Sequence, residues 1–270
     1  MATSPAVVRA LDEQLRGLGW VSDLMVDGSL ATGDYIPRIS DLDLVALVDG
    51  PVDADRQAAL VAIHRRLDNG IGAGFKLGCV YVDSTTITRI ELRHPTRTHG
   101  QLVHRILSGI TRAELVRHGY QIFGRSPRDV FPEVSADDIR AAARAELTGY
   151  WAWAARRPWL WLDPTLADLG LTSMARSRHA LDNGELLTKT QAIGQAHAPA
   201  WLINHLAARR RGEPVTSPRL RTALIAWRDA RRTVARAKRG RRDSPTPQPP
   251  HRAVRTQPAD DAAGWVRTPS

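Results

Sequence analysis

The chain has 270 residues, of which 43% are apolar, and its 38 Lys and Arg residues outnumber its 28 Asp and Glu residues, for a net charge of +10. This composition is typical of a globular protein with one large or two modest domains. The single cysteine, Cys79, excludes an intrachain disulfide and a cysteine-based zinc site. No apolar run approaches the ~20 residues that span a bilayer, and the N-terminus has no signal-like segment. We therefore expect a cytoplasmic protein with no membrane partner.

Short apolar runs alternate with turn-forming residues in the first half of the chain. The pattern predicts helices over 6–18, 53–67, 100–107 and 112–117. It predicts buried strands over 41–48, 76–82, 86–92 and 121–123. This order indicates a small mixed sheet with flanking helices, which we assign to residues 1–128.

The second half of the chain is predicted to be helical. Capping boxes begin at Ser135 and at Thr188, and Pro164 opens a further helix that ends at Asn183-Gly184. Short connections between helices favour an antiparallel bundle over 129–240. Residues 241–270 are rich in Pro, Ser, Thr and Arg, which predicts a disordered basic tail.

The residues that indicate chemistry are Gly28-Ser29 and, after an eleven-residue loop, Asp41-Leu42-Asp43 at the start of an apolar run. Residues two apart in a strand point the same way, so the two carboxylates would project side by side. Magnesium prefers such oxygen ligands together with substrate phosphates, and a Gly-Ser turn lets the backbone approach a phosphate closely. An Asp-x-Asp surface turn is the alternative, but the Gly-Ser before it and the apolar strand after it favour a catalytic site.

These motifs resemble those of the nucleotidyltransferase superfamily related to DNA polymerase β. The stretch from Leu171 to Lys189 is similar to the helix, Gly turn and Lys of aminoglycoside adenylyltransferases that modify streptomycin and spectinomycin. The resemblance spans roughly residues 20–210 and implies an α+β fold, a nucleotidyltransferase mixed sheet followed by a C-terminal helical bundle. It further implies two Mg²⁺ ions, ATP as donor, and transfer of AMP to a hydroxyl of a small, aminoglycoside-like acceptor.

The resemblance also suggests roles for individual residues. Asp41 and Asp43 would hold the metal, Gly28 and Ser29 would contact the nucleotide, and Lys189 would bind its phosphates. Arg176 is a further candidate for triphosphate contact, with Arg178 as its alternative.

A third catalytic carboxylate is expected on the next core strand, but residues 77–82 contain no acid. We favour Glu91, on the predicted strand 86–92, over Asp83. If neither serves, a base from the helical half such as Glu146 remains open.

Aromatic residues cluster at Tyr150 to Trp153 and at Trp159 to Trp161. Such a cluster is typical of packing between helices, and it also suits the wall of an acceptor cleft. In the resembling family, acids near this position hold the cationic acceptor. The functional interpretation therefore names Trp161, Asp163 and Asp168 as substrate contacts.

Two other functions stay open. A toxin-type enzyme of the same fold would modify a protein or a tRNA. A catalytically weak relative would instead bind nucleic acid through the basic C-terminal region, where most of the excess charge lies. Binding of ATP with magnesium is expected of an adenylyltransferase and of a toxin-type enzyme, and it distinguishes both from a nucleic-acid-binding relative.

Overall fold

The computed structural model describes residues 5–239, in which a six-stranded sheet is followed by a helical region. The strands are β1 (Val21–Asp27), β2 (Leu42–Val48), β3 (Leu77–Asp83), β4 (Arg93–Thr98), β5 (Gln101–Ile106) and β6 (Tyr120–Phe123). Their order is β5-β4-β3-β2-β1-β6, and among these strands only β2 and β3 pair in parallel. The predicted α+β class with a mixed sheet is confirmed; the predicted tail, 241–270, lies outside the described residues.

Eleven helices accompany the sheet within residues 5–239. Those of the sheet half are α1 (Ala6–Arg16), α2 (Gly28–Ala31), α3 (Ala54–Asp68), α4 (Gly109–His118) and α5 (Pro127–Val130). Those of the helical half are α6 (Ala136–Thr148), α7 (Tyr150–Ala155), α8 (Pro164–Asn183), α9 (Lys189–Gly194), α10 (Ala200–Arg210) and α11 (Arg219–Arg239). None of these helices is both long and apolar enough to cross a membrane.

Apolar side chains bury both faces of the sheet. The α1 residues Val7 and Leu11 are fully buried in a core that includes Leu60 of α3 and alternate residues of β2. On the opposite face, Leu115 of α4 lies in a second core with the remaining β2 positions. The continuous apolar run in β2 is therefore explained by burial on both faces, and it places Asp41 and Asp43 at one end of the central strands.

Two predicted elements are wrong. Residues 86–92, predicted as a strand, form turns after a short 3₁₀ segment, Ser84–Thr86, and residues 101–106, predicted as helix, form β5. The cause is a tight hairpin, since His99 (φ 45°) and Gly100 (φ 74°) both have positive φ and join Thr98 directly to Gln101. Two consecutive residues with positive φ are typical of a hairpin turn, which fixes the strands on either side.

His64 of α3 gives this fold an acid-sensitive contact. Its side chain is fully buried, its Nε2 lies 2.7 Å from the hydroxyl of Tyr81, and its Nδ1 has no partner among the described residues. Burial, helped by the nearby Arg97 charge, lowers the pKa of His64 to about 4.

Because the folded pKa of His64 is below its unfolded value, the unfolded chain binds the proton more readily. We expect the free energy of unfolding to fall as pH drops from about 6.5 to about 4, by on the order of 3 kcal/mol from this group. Urea unfolding at several pH values should show a smaller pH slope for His64→Gln than for the native chain. An unchanged slope would contradict a buried neutral imidazole.

Candidate active site

The end of β1 and the start of β2 bring the predicted residues together. The two strands are antiparallel with Asp27 opposite Asp43, and Gly28 begins the turn that follows β1. Gly28 has a φ of 61°, and a Cβ built on it would lie 2.5 Å from Oδ2 of Asp43. Only glycine fits here, for its backbone conformation and for its closeness to the carboxylate.

Asp41 and Asp43 form an acidic pair, as the sequence predicts. The Asp43 side chain is open to solvent on one side yet recessed among protein atoms. This burial and, second, the charge of Asp41 raise the pKa of Asp43 to about 6, while Lys189 opposes the rise. Lys76, which sequence reasoning missed, places its Nζ 3.9 Å from Oδ1 of Asp41. The mutual repulsion of Asp41 and Asp43 favours the binding of a cation between them.

Asp27 is a further carboxylate that sequence reasoning missed. Its side chain is only 2% exposed, and its Oδ1 has no hydrogen-bond partner among the described residues. Burial raises the pKa of Asp27 to about 7, the backbone N–H of Gly28 opposes the rise, and the charge of Asp43 adds to it. The available signal was an acid directly after the apolar run 24–26 and directly before Gly28-Ser29.

The donor set suits a divalent ion bound jointly with a substrate. Within residues 5–239, no group of three His, Cys, Asp or Glu side chains is arranged to hold a metal. The two accessible carboxylates, Asp41 and Asp43, would therefore share the ion with phosphate oxygens, as is common for magnesium. The Ser29 hydroxyl donates to the Asp41 carbonyl at 3.5 Å, which connects the two ends of the loop between the motifs.

Lys189 comes to this site from the helical half. It is the first residue of α9, and the capping box between Thr188 and Gln191 that the sequence predicts begins this helix. Its charge acts on Asp43, although the two residues are 146 positions apart in the sequence. The structure thus brings Gly28, Ser29, Asp41 and Asp43 together, and it places Lys189 nearby, since the adjacent Thr190 binds Asp34 and Asp34 binds the Ser29 carbonyl.

Glu91 does not join them. It lies in a turn rather than on a strand, its side chain is 63% exposed, and it accepts a hydrogen bond from Arg89. Because β4 runs antiparallel to β3, this turn lies at the end of β3 away from Asp43.

The alternative, Asp83, ends β3 and lies five residues from Gly78, roughly 17 Å along the strand. Gly78 is the β3 residue directly beside Asp43, and glycine supplies no carboxylate there. The structure therefore offers neither Glu91 nor Asp83 as a partner of Asp43.

Arg176 and Arg178, the candidates for triphosphate contact, already have protein partners. Arg176 donates from Nε to the Leu187 carbonyl at 2.8 Å and pairs with Glu114 of α4. Arg178 is buried and pairs with Asp229 of α11 at 2.7 Å. Both guanidinium groups are bound within the protein, and a direct nucleotide contact stays a prediction.

Glu146, the alternative base, is also placed away from the acidic pair. Its carboxylate accepts from the Ser108 hydroxyl at 3.2 Å, and Ser108 caps the start of α4. The other end of α4 is the one that approaches β1, since a Cβ on Gly119 would lie 3.0 Å from the Val26 carbonyl.

The predicted acceptor contacts have structural roles. Trp161 is 1% exposed in the core of the helical half, and its Nε1 donates to the Ala154 carbonyl, so it does not form an open cleft wall. Asp163 caps α8 by accepting from the Thr165 N–H at 2.7 Å. Asp168 forms a two-point pair with Arg209 at 2.6 and 2.8 Å. Contact of either acid with an acceptor stays a prediction.

The fold and this acidic pair define the class of structure: the chain has the nucleotidyltransferase fold. It is similar to the crystal structure of the spectinomycin adenyltransferase AAD(9) from Enterococcus faecialis with ATP and spectinomycin, with a TM-score of 0.62 and 13% sequence identity. The match covers 86% of this chain and 98% of that chain. No protein-family model and no curated protein matches the sequence.

Proposed function

We propose that the chain is a magnesium-dependent nucleotidyltransferase that moves AMP from ATP to a hydroxyl of a small acceptor. The observation that supports this most is the acidic pair Asp41/Asp43 beside Gly28, with Lys189 of the helical half near enough for its charge to act on Asp43. The acidic pair attracts a cation, and the lysine facing it attracts an anion. A metal-bound triphosphate satisfies both requirements.

Each residue then has a defined task. Asp41 and Asp43 would hold magnesium, which neutralises the phosphate oxygens and aligns the leaving group. Gly28 keeps the backbone close to Asp43, and Lys189 would offer its ammonium to the phosphates from the helical half. The acceptor hydroxyl would lose its proton to a base, its oxygen would bond to the α-phosphorus, and the bond to the leaving pyrophosphate would break. The only carboxylate on β3, Asp83, lies at the far end of the strand, so Asp27, opposite Asp43 on β1, is our candidate for the third acidic group.

The AAD(9) structure contains ATP and spectinomycin. Together with the sequence motifs, this supports ATP as donor and an aminoglycoside-like acceptor. Calorimetry should detect ATP binding that requires Mg²⁺, and mass spectrometry should find one added AMP on spectinomycin or streptomycin. A toxin-type enzyme would instead label a tRNA or a protein in the same assay. A chain that binds no ATP in the presence of Mg²⁺ would contradict the proposal.

The exposed face of α11 supports a second candidate, nucleic-acid binding. This helix carries eight Lys or Arg residues and one Asp. Arg228, Arg231, Arg232 and Arg239 surround a shallow groove of about 400 Å³, and no described acidic residue pairs with Arg228, Arg232 or Arg239. Phosphate contacts of such arginines weaken steeply with salt. An RNA titration at two salt concentrations, run beside the ATP calorimetry, separates this candidate from the first.

A further inference from the structure

Two polar contacts join the halves on either side of Lys189. Leu187 lies two residues before Lys189 and is bound by Arg176, while Thr190 follows Lys189 and is bound by Asp34. We propose that Asp34 and Arg176 are positioning residues that hold Lys189 against the acidic pair before any nucleotide binds. This inference rests on the proposed function for the role of Lys189, but the contacts themselves do not depend on it.

The first contact is made by Asp34, in the loop between α2 and β2. Its Oδ2 accepts from the Thr190 N–H at 3.1 Å, and its Oδ1 accepts from the Thr190 hydroxyl. Arg210 of α10 donates to the same carboxylate at 3.1 Å and to the Ser40 hydroxyl at 3.0 Å. The backbone N–H of Asp34 donates to the Ser29 carbonyl at 2.9 Å, so the residue that binds Thr190 is itself bonded to the Gly28-Ser29 turn.

The hydrogen bonds and the charge around Asp34 stabilise its ionised carboxylate by more than burial destabilises it. Its side chain is 12% exposed and that of Arg210 is 10% exposed. Burial alone would raise the pKa of Asp34, but the hydrogen bonds from Thr190 and the charge of Arg210 lower it below its ordinary value. Loss of one partner would leave a largely buried charge uncompensated, so the contact favours one arrangement of the halves.

The second contact is made by Arg176, on the other side of Lys189. Its guanidinium pairs with Glu114 of α4, in the sheet half, and donates at 2.8 Å to the Leu187 carbonyl, in the segment before α9. Arg176 thereby links α4, α8 and the Leu187 segment at one point. Lys189 therefore lies between two bound residues: Arg176 of the helical half binds Leu187, and Asp34 of the sheet half binds Thr190.

The length of α9 means that it depends on tertiary contacts for its order. It has only six residues, and an isolated helix this short is not stable in water. Burial of Ala192 and Ile193 anchors the end of α9, whereas the two polar contacts lie beside its first turn, where Lys189 stands. Without them this first turn would be less well ordered, and binding ATP would have to order it. The contacts reduce that cost in advance, which is preorganisation of the phosphate site.

A pair of Thr190 variants tests the contact with the least disturbance. Thr190→Ser keeps the hydroxyl that donates to Asp34, and Thr190→Val removes it at nearly constant volume. Loss of a hydrogen bond to a charged group should raise amide exchange of residues 187–194 in the nucleotide-free protein by about 10-fold in Thr190→Val. Asp34→Ala should show a larger increase, and Thr190→Ser should exchange like the native chain.

The change in KM for ATP should follow the change in amide exchange across these variants. KM for ATP should rise about 10-fold in Thr190→Val and more in Asp34→Ala, with a smaller change in kcat, because the lost contact orders the binding segment. Lys189→Ala is the contrasting variant: it should raise KM while leaving amide exchange of residues 187–194 at the native level.

Native exchange at residues 187–194 in both Thr190→Val and Asp34→Ala would overturn the inference. A chain that binds no ATP yet shows the expected exchange pattern would overturn the proposed function and leave the two contacts established. If Asp34→Ala does not fold, the two Thr190 variants still decide the result.

Discussion

Replacing Asp41 and Asp43 together by Asn should leave the chain folded and nearly abolish AMP transfer. Neither carboxylate supports the core, and burial and mutual repulsion already disfavour the charged form of Asp43. Magnesium held by these oxygens would contribute several kcal/mol to the transition state, so we expect the rate to fall at least about 1000-fold. Single-turnover transfer of labelled AMP measures the rate, and thermal unfolding checks the fold.

The matched control for this double variant is Asp49→Asn. Asp49 is exposed and follows the opposite end of β2, so it shares the strand but not the site. It should transfer AMP at the native rate. A double Asn variant that also transferred AMP at the native rate would remove Asp41 and Asp43 from the mechanism.

Gly28→Ala should inactivate the chain through a single methyl group. The Cβ would lie 2.5 Å from Oδ2 of Asp43, so the carboxylate must move away from its position beside Asp41. The positive φ adds a stability cost of about 1 to 2 kcal/mol for any residue with a Cβ. We expect loss of metal affinity and of transfer, measured by Mn²⁺ titration and by the AMP assay, with only a modest fall in Tm.

Gly33→Ala separates these two effects. Gly33 has a similar φ of 74°, but a Cβ there would meet nothing within 4 Å. It should lose a comparable amount of stability and keep native metal affinity and transfer. If both variants lost transfer equally, backbone strain would explain the effect and contact with Asp43 would not.

The structure changes the expected relation between ATP and the two halves. Lys189 and the acidic pair lie on different halves, so a nucleotide bound by both would connect the halves. Asp34 and Arg176 already join the halves without a nucleotide. ATP is therefore expected to find a phosphate site that is largely formed, rather than to create one.

Local patterns in the sequence were sufficient for much of the fold. The apolar face of α1, the continuous apolar run of β2 and the capping boxes at Ser135 and Thr188 each depend on residues close in the chain. The hairpin of β4 and β5 was missed, because its signal is the positive φ of His99 and Gly100, and the residue before Gly100 is not a usual turn former.

The sequence by itself also determined the acidic pair, because Gly28-Ser29 and Asp41 to Asp43 lie within sixteen residues and a strand places alternate side chains together. Only the tertiary structure decided what surrounds that pair. The strand register places Asp27 opposite Asp43 and Gly78 beside Asp43. The direction of the strands places Glu91 at the end of β3 that lies away from Asp43. Register and packing between distant segments depend on contacts over the whole chain, and no local spacing encodes them.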